Sequence, residues 1–152
     1  MGMICCLQPI DAGQIDALLA QPASIHDLLE EDYEAGIDLD KSWHAIHYLL
    51  TGSTWEGEEP ACFLLSGGEQ VGDEDVGYGP ARVLRPTDVR RFDALLQQVD
   101  SAELRQRYDP PALIKAEIYP DIWGREEERE ENFEYVSQYF EELRRFVGDV
   151  AK

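Results

Sequence analysis

The sequence predicts an α+β domain, a small sheet of short strands packed against several helices with a long helix at the C-terminal end. Three observations carry this. Apolar residues in the second half recur at three- and four-residue steps, the period of a helix with one buried face, as in Phe133, Val136, Phe140, Leu143 and Val147. Two short apolar segments, Met3–Ile10 and Ala81–Leu84, end at turn-forming residues or proline as strands do. Strands and helices do not alternate in the strict βαβ order that a parallel α/β sheet requires. With 152 residues, 43% of them apolar, the chain fits one domain spanning 1–152. A globule of that length can bury roughly 70% of its unfolded surface without staples.

Element by element, Met3–Ile10 reads as the first strand. Asp11 is placed to cap a helix with Ile15, Leu18 and Leu19 on one face, and Pro22 interrupts it. Ser24 can cap a second helix carrying Ile25, Leu28 and Leu29 up to a turn at Gly36. Asp38 or Asp40 opens a third, with Trp43, Ile46, His47 and Leu50 at helical spacing and Gly52 as its left-handed terminator. From Ser53 to Gly79 the chain is rich in glycine and acid; its one apolar island, Cys62–Leu65, fits a strand or a short helix. Ala81–Leu84 is the second strand, closed by Pro86. Thr87 then caps a helix with Val89, Phe92, Leu95, Leu96 and Val99 facing inward. Ser101 starts a short helix through Leu104, and Asp109-Pro110 pairs a cap with a first-turn proline for another, stopped by Tyr119-Pro120. The last helix runs from about Glu126 to Val147. Its acidic first turn and its Arg144 and Arg145 suit the two ends of the helix dipole.

Charge is the most unusual bulk property. Thirteen Lys and Arg stand against 32 Asp and Glu, a net −19. Residues 1–81 hold one base against 16 acids, and residues 82–152 hold 12 against 16. Phosphate backbones and anionic bilayers are held by positive surface, so neither nucleic acid nor membrane is an expected partner. A basic protein is. The longest apolar runs are a few residues, and no Lys or Arg precedes Lys41, so neither a membrane span nor a secretory signal is expected and the default address is the cytoplasm. Cys5 and Cys6 are neighbours and Cys62 stands alone, so the three are expected to be buried, reduced thiols without zinc-site spacing.

The segment Asp38-Leu39-Asp40-Lys41-Ser42-Trp43-His44-Ala45-Ile46-His47-Tyr48-Leu49-Leu50-Thr51-Gly52 resembles the motif of the YfbM-like bacterial family, a domain of unknown function. Met1-Gly2-Met3-Ile4, Gly77-Tyr78-Gly79-Pro80-Ala81-Arg82, Glu117-Ile118-Tyr119-Pro120 and Tyr139-Phe140-Glu141-Glu142-Leu143 resemble further segments of it, in the same order. The resemblance implies an α+β fold and a bacterial cytosolic protein, and no activity. It also implies a terminal strand after the last helix, which is not expected in a chain stopping at Lys152.

The candidate binding residues are Trp43, His47, Thr51, Tyr78, Arg82, Glu117 and Tyr119. His44 and His47, three apart on one helix, can share a face. With His26 or an acid of the 56–75 loop they have donors for a metal, but the spacing is not the i, i+4 of a zincin. Because His47 shares a face with Trp43 and Leu50, it is expected to donate to a backbone carbonyl; no metal and no cofactor are expected. As a general base it would need Asp40, Glu117 or Tyr78 beside it. Gly77-Tyr78-Gly79-Pro80 lacks the remainder of either phosphate-loop pattern. It reads as a turn, with Arg82 and Arg85 meeting acids of the same chain. Trp55 is expected to line a pocket with Thr51, Gly52 and Tyr78, and Tyr119 and Trp123 to form a second aromatic surface. No complete catalytic set can be written. The chain therefore reads as an interaction protein for a basic partner. The alternative is a small-ligand binder or enzyme with a pocket around Trp43, His47, Thr51, Tyr78 and Glu117.

Overall fold

Asp11 begins the first helix with a reciprocal cap. Its carboxylate accepts the Gln14 amide at 2.7 Å while the Gln14 side chain accepts the Asp11 amide at 2.9 Å. The helix α1 (Ala12–Ala20) buries Ile15 and Leu18, and Pro22 turns the chain into one 3-10 turn, Pro22–Ser24. The computed structural model describes residues 5–26, 36–73 and 81–152. Met1–Ile4, Leu28, Leu29 and the Gly77–Pro80 turn with Tyr78 lie outside the described residues.

The strands are shorter than the apolar segments that announce them. Strand β1 (Cys6–Leu7) pairs antiparallel with β2 (Ile37–Asp38), Cys6 opposite Asp38 and Leu7 opposite Ile37. A second ribbon joins β3 (Glu69–Gln70) to β4 (Arg82–Val83), inside the expected Ala81–Leu84 strand. Both residues of β3 are polar and exposed, so it sends no apolar signal. The Cys62–Leu65 island becomes neither strand nor regular helix. It is a run of turns in which the Cys62 amide donates to Glu58 O and the Ser66 amide to Cys62 O, with Cys62, Phe63 and Leu64 buried.

Helix α2 (Trp43–Thr51) is entered through a 3-10 turn, Asp40–Ser42, and ended by left-handed Gly52 at φ 75°, as expected. Asp40 itself is left-handed, φ 51°. It is held there by its amide donating to Asp38 Oδ1 at 2.7 Å and by the Tyr135 hydroxyl donating to its carboxylate at 2.8 Å. Helix α3 (Pro86–Gln97) starts one residue ahead of the expected Thr87 cap, because Pro86 fits the first helical position, whose amide has no partner anyway. Asp100 caps α4 (Ser101–Arg107), accepting the Glu103 amide at 2.8 Å.

Helix α5 (Pro110–Lys115) ends well before Pro120. Glu117 takes φ 57°, its amide donates to Ile114 O and the Ile118 amide to Leu113 O, the paired bonds of a Schellman stop. After a 3-10 turn at Glu126–Glu128, α6 (Arg129–Val150) runs 22 residues and buries Phe133, Val136, Phe140, Leu143 and Val147, the face its spacing predicts.

Helix α6 packs on α2, α3, α4 and β2 and forms one wall of the main apolar cluster. A smaller cluster gathers Ile15, Leu18, Ile25, Val71 and Val83. The α+β expectation holds, with helices dominating two small ribbons among the described residues. The thiols depart from expectation, since only Cys62 is buried while Cys5 is half-buried and Cys6 exposed. Among the described residues no helix is long and apolar enough to cross a membrane.

Candidate functional site

The two histidines of α2 act on the segment that follows their own helix. His44 Nε2 lies 2.8 Å from the Thr54 carbonyl, and His47 Nε2 lies 2.9 Å from the Glu56 carbonyl. A carbonyl can only accept, so both imidazoles carry their proton on Nε2. Three apart on one helix face, they pin alternate residues of the returning chain. Thr51 adds a local turn, its hydroxyl donating to His47 O and accepting the Ser53 amide at 3.0 Å. Arg107 of α4 donates to Leu49 O at 3.0 Å, satisfying a carbonyl in the last turns of α2.

Pinned on either side, Trp55 is laid over the helix. Its ring stacks on His44 at 4.3 Å between centroids; His44 in turn stacks on Trp43 at 5.0 Å, and Trp43 on Tyr119 at 6.0 Å. His44, His47 and Trp43 are buried, whereas Trp55 is 58% exposed. Tyr119 reaches the stack because its amide donates to His44 Nδ1 at 2.9 Å, and Thr54 Oγ1 donates to Ala116 O at 3.3 Å. Four aromatic rings from α2, the loop after it and the loop after α5 thus form one column with a solvent-facing end.

The candidates divide accordingly. Trp43 and Tyr119 are members of this column, while His47 and Thr51 hold the chain on either side of Trp55 through the Glu56 carbonyl and the Ser53 amide. Glu117 stands two residues before Tyr119 as the left-handed stop of α5. Arg82 lies on β4 beside the smaller cluster, its Nε donating to Gly67 O at 2.8 Å. Arg85 meets acids of the same chain as expected, Glu69 at 2.7 Å and Asp16 at 3.1 Å. Tyr78 lies outside the described residues. Trp123 does not share a surface with Tyr119: it is buried against Tyr108, its indole donating to Ile118 O. His44, expected only as a metal donor beside His47, and Trp55, expected only as a pocket wall, stand stacked in the column. A large aromatic directly ahead of Glu56-Gly57-Glu58-Glu59 was the available signal.

Chemically, His44 has no lone pair to spare, since Nδ1 takes the Tyr119 amide. His47 keeps an unpaired Nδ1, fully buried. Among the described residues no group of three His, Cys, Asp or Glu is arranged to hold a metal. Burial pushes both imidazoles below the usual histidine range, against the opposing pull of their carbonyl bonds. The unfolded chain therefore binds more protons than the folded one as pH falls below about 6.5. Stability supplied by the neutral rings is present above that pH and is lost as pH falls toward their folded values. His47→Gln, which keeps a donor for the Glu56 carbonyl, is expected to show a smaller loss between about pH 6.5 and 5 than the unaltered protein. Urea midpoints measured across that interval compare the two slopes; equal slopes would remove His47 from the acid response.

The pattern of the domain-of-unknown-function family DUF1877 matches residues 1–152. The chain belongs to this family. Among solved structures, it is similar to the crystal structure of YfbM, a protein of unknown function from Escherichia coli. The two are 25% identical, with a TM-score of 0.76, over 98% of this chain and 93% of that one. No curated protein matches. The fold is thus shared with YfbM over essentially the whole chain.

Proposed function

We propose that this protein is an acidic cytosolic interaction module that engages a basic protein partner, with Trp55 as the anchor of the contact. The observation that carries the reading is an indole 58% exposed yet fixed in place by stacking at 4.3 Å on a buried imidazole. A rigid aromatic costs little entropy on binding and offers a π face to a cation. Glu56 and Glu58 beside it are exposed, and neither makes an ion pair among the described residues. An Arg or Lys side chain laid on Trp55 would meet a carboxylate at the ring edge.

The surrounding charge supports the same reading. Arg85, Arg91, Arg105, Arg107, Arg125 and Arg144 are each engaged by acids of this chain, so the excess of acid is left to the solvent. Trp43 lies next to the Trp55 ring and Tyr119 stacks on Trp43, His47 and Thr51 hold the backbone on either side of Trp55, and Glu117 sets the course of the chain into Tyr119. The alternative, a small-ligand pocket around Trp43, His47, Thr51, Tyr78 and Glu117, has less support: Trp43, His47, Thr51 and Glu117 line neither the cleft between the two apolar clusters nor the groove between α3 and α6.

The test is a titration with an arginine-rich peptide, followed by tryptophan fluorescence and repeated by calorimetry, with a glutamate-rich peptide as control. The basic peptide is expected to bind with a marked salt dependence, and Trp55→Ala is expected to weaken it about tenfold or more, as anchor residues do. Equal binding of both peptides, or a Trp55→Ala variant that binds as well as the parent, would refute the reading.

A further inference from the structure

A cleft of about 370 Å³ lies at the seam of the two apolar clusters. Its walls come from both: Ile15, Leu18 and Val83 of the smaller cluster, Phe63, Phe92 and Val147 of the larger. The volume falls at the lower end of the range for small-molecule sites, which are mostly apolar with a few placed polar groups.

The charged groups at this cleft run against the rest of the molecule. In a chain with 32 acids, none of the described lining residues is Asp or Glu, whereas Arg82, Arg90 and Lys152 all are lining residues. Arg82 is held by Gly67 O, and Lys152 lies 3.5 Å from Asp149. Arg90 is exposed and makes no ion pair among the described residues. Arg90 and Lys152 also border a second groove between α3 and α6, whose lining includes Arg144 and Arg145 together with Asp93 and Asp149. Local positive potential at an apolar opening selects a ligand with a negative head and an apolar tail, because the global charge is screened beyond about 8 Å at physiological salt.

We infer that this cleft binds a single-chain amphipathic anion, a free acyl carboxylate, with its tail between the two clusters and its head at Arg90. The site is separate from Trp55, so its failure would leave the partner reading untouched. Cys6, exposed and lining the cleft, supplies an internal reporter.

The experiment uses decanoate below its micellar concentration, with decanol and decyltrimethylammonium as matched probes. Decanoate is expected to raise the melting temperature and to slow alkylation of Cys6, read by peptide mass, while the neutral and cationic probes bind at least about tenfold more weakly. Arg90→Glu, a surface change that leaves the fold intact, is expected to weaken decanoate about tenfold and leave decanol unaffected. Val89→Trp, placed at a half-buried lining position, is expected to fill the cleft and abolish both effects. Decanoate and decanol binding equally, decanoate binding undiminished in Arg90→Glu, or an absence of both the thermal shift and Cys6 protection would each overturn the assignment.

Discussion

Phe140→Ala is expected to lower the free energy of unfolding by about 3–5 kcal/mol. Phe140 is fully buried on α6 within the main cluster, among side chains contributed by α2, α3 and α4. Removing the ring deletes its transfer energy and leaves a cavity that helices fixed at several contacts cannot close. Domains of this size hold about 5–15 kcal/mol in total, so a loss of this size removes about a third to a half of a typical margin. Urea unfolding should show a lower midpoint with an unchanged slope. Arg145→Ala, exposed on the same helix, should change stability by no more than about 0.5 kcal/mol. If Phe140→Ala cost less than about 1 kcal/mol, α6 would not be packed as described.

Gly68→Ala is the second large effect, expected at about 2–4 kcal/mol from a left-handed conformation and overpacking combined. Gly68 has φ 63°, and a Cβ there would stand 2.2 Å from the Val83 carbonyl oxygen, which belongs to the backbone of β4 and cannot rotate away. The β3–β4 ribbon would have to separate. Gly52 provides the control: its φ is 75° and an added Cβ meets nothing within 4 Å. Gly52→Ala should therefore show only the conformational cost, about 1–2 kcal/mol. The difference in urea stability between the two variants isolates the steric component, and equal losses would mean the ribbon yields freely.

The contrast between those glycines also marks how far the sequence could be read. Gly52 was legible because a helix end has a local chemistry: periodic apolar residues, then a residue free of the Cβ penalty. The same holds for Asp11, for Ser101 as the start of α4, and for the whole buried face of α6. Gly68 was not legible, because its constraint comes from a carbonyl 15 residues away across a strand pair whose own residues, Glu69 and Gln70, carry no apolar signature. The aromatic column shows both cases. The sharing of one face by His44 and His47, and an imidazole donating to a carbonyl, follow from helical spacing. That Thr54 and Glu56 would supply those carbonyls, and that Tyr119 would offer its amide from 75 residues away, depends on tertiary placement. Glu117 belongs with these: nothing local marks a glutamate as the left-handed stop of a helix.

Helix α6 carries a consequence for how this protein comes to be made. Because it touches α2, α3, α4 and β2, none of those elements can complete its packing before it exists. On a ribosome the elements before α6 are made first, with Phe92 and Leu104 lacking the rest of the cluster they pack into. The 22 residues of α6 then take about 1–4 s to synthesise at ordinary elongation rates. During that interval the nascent chain exposes apolar surface while carrying a strongly negative N-terminal half. Like-charge repulsion between neighbouring nascent chains opposes their association, so the acidity serves the chain before it has any fold to serve.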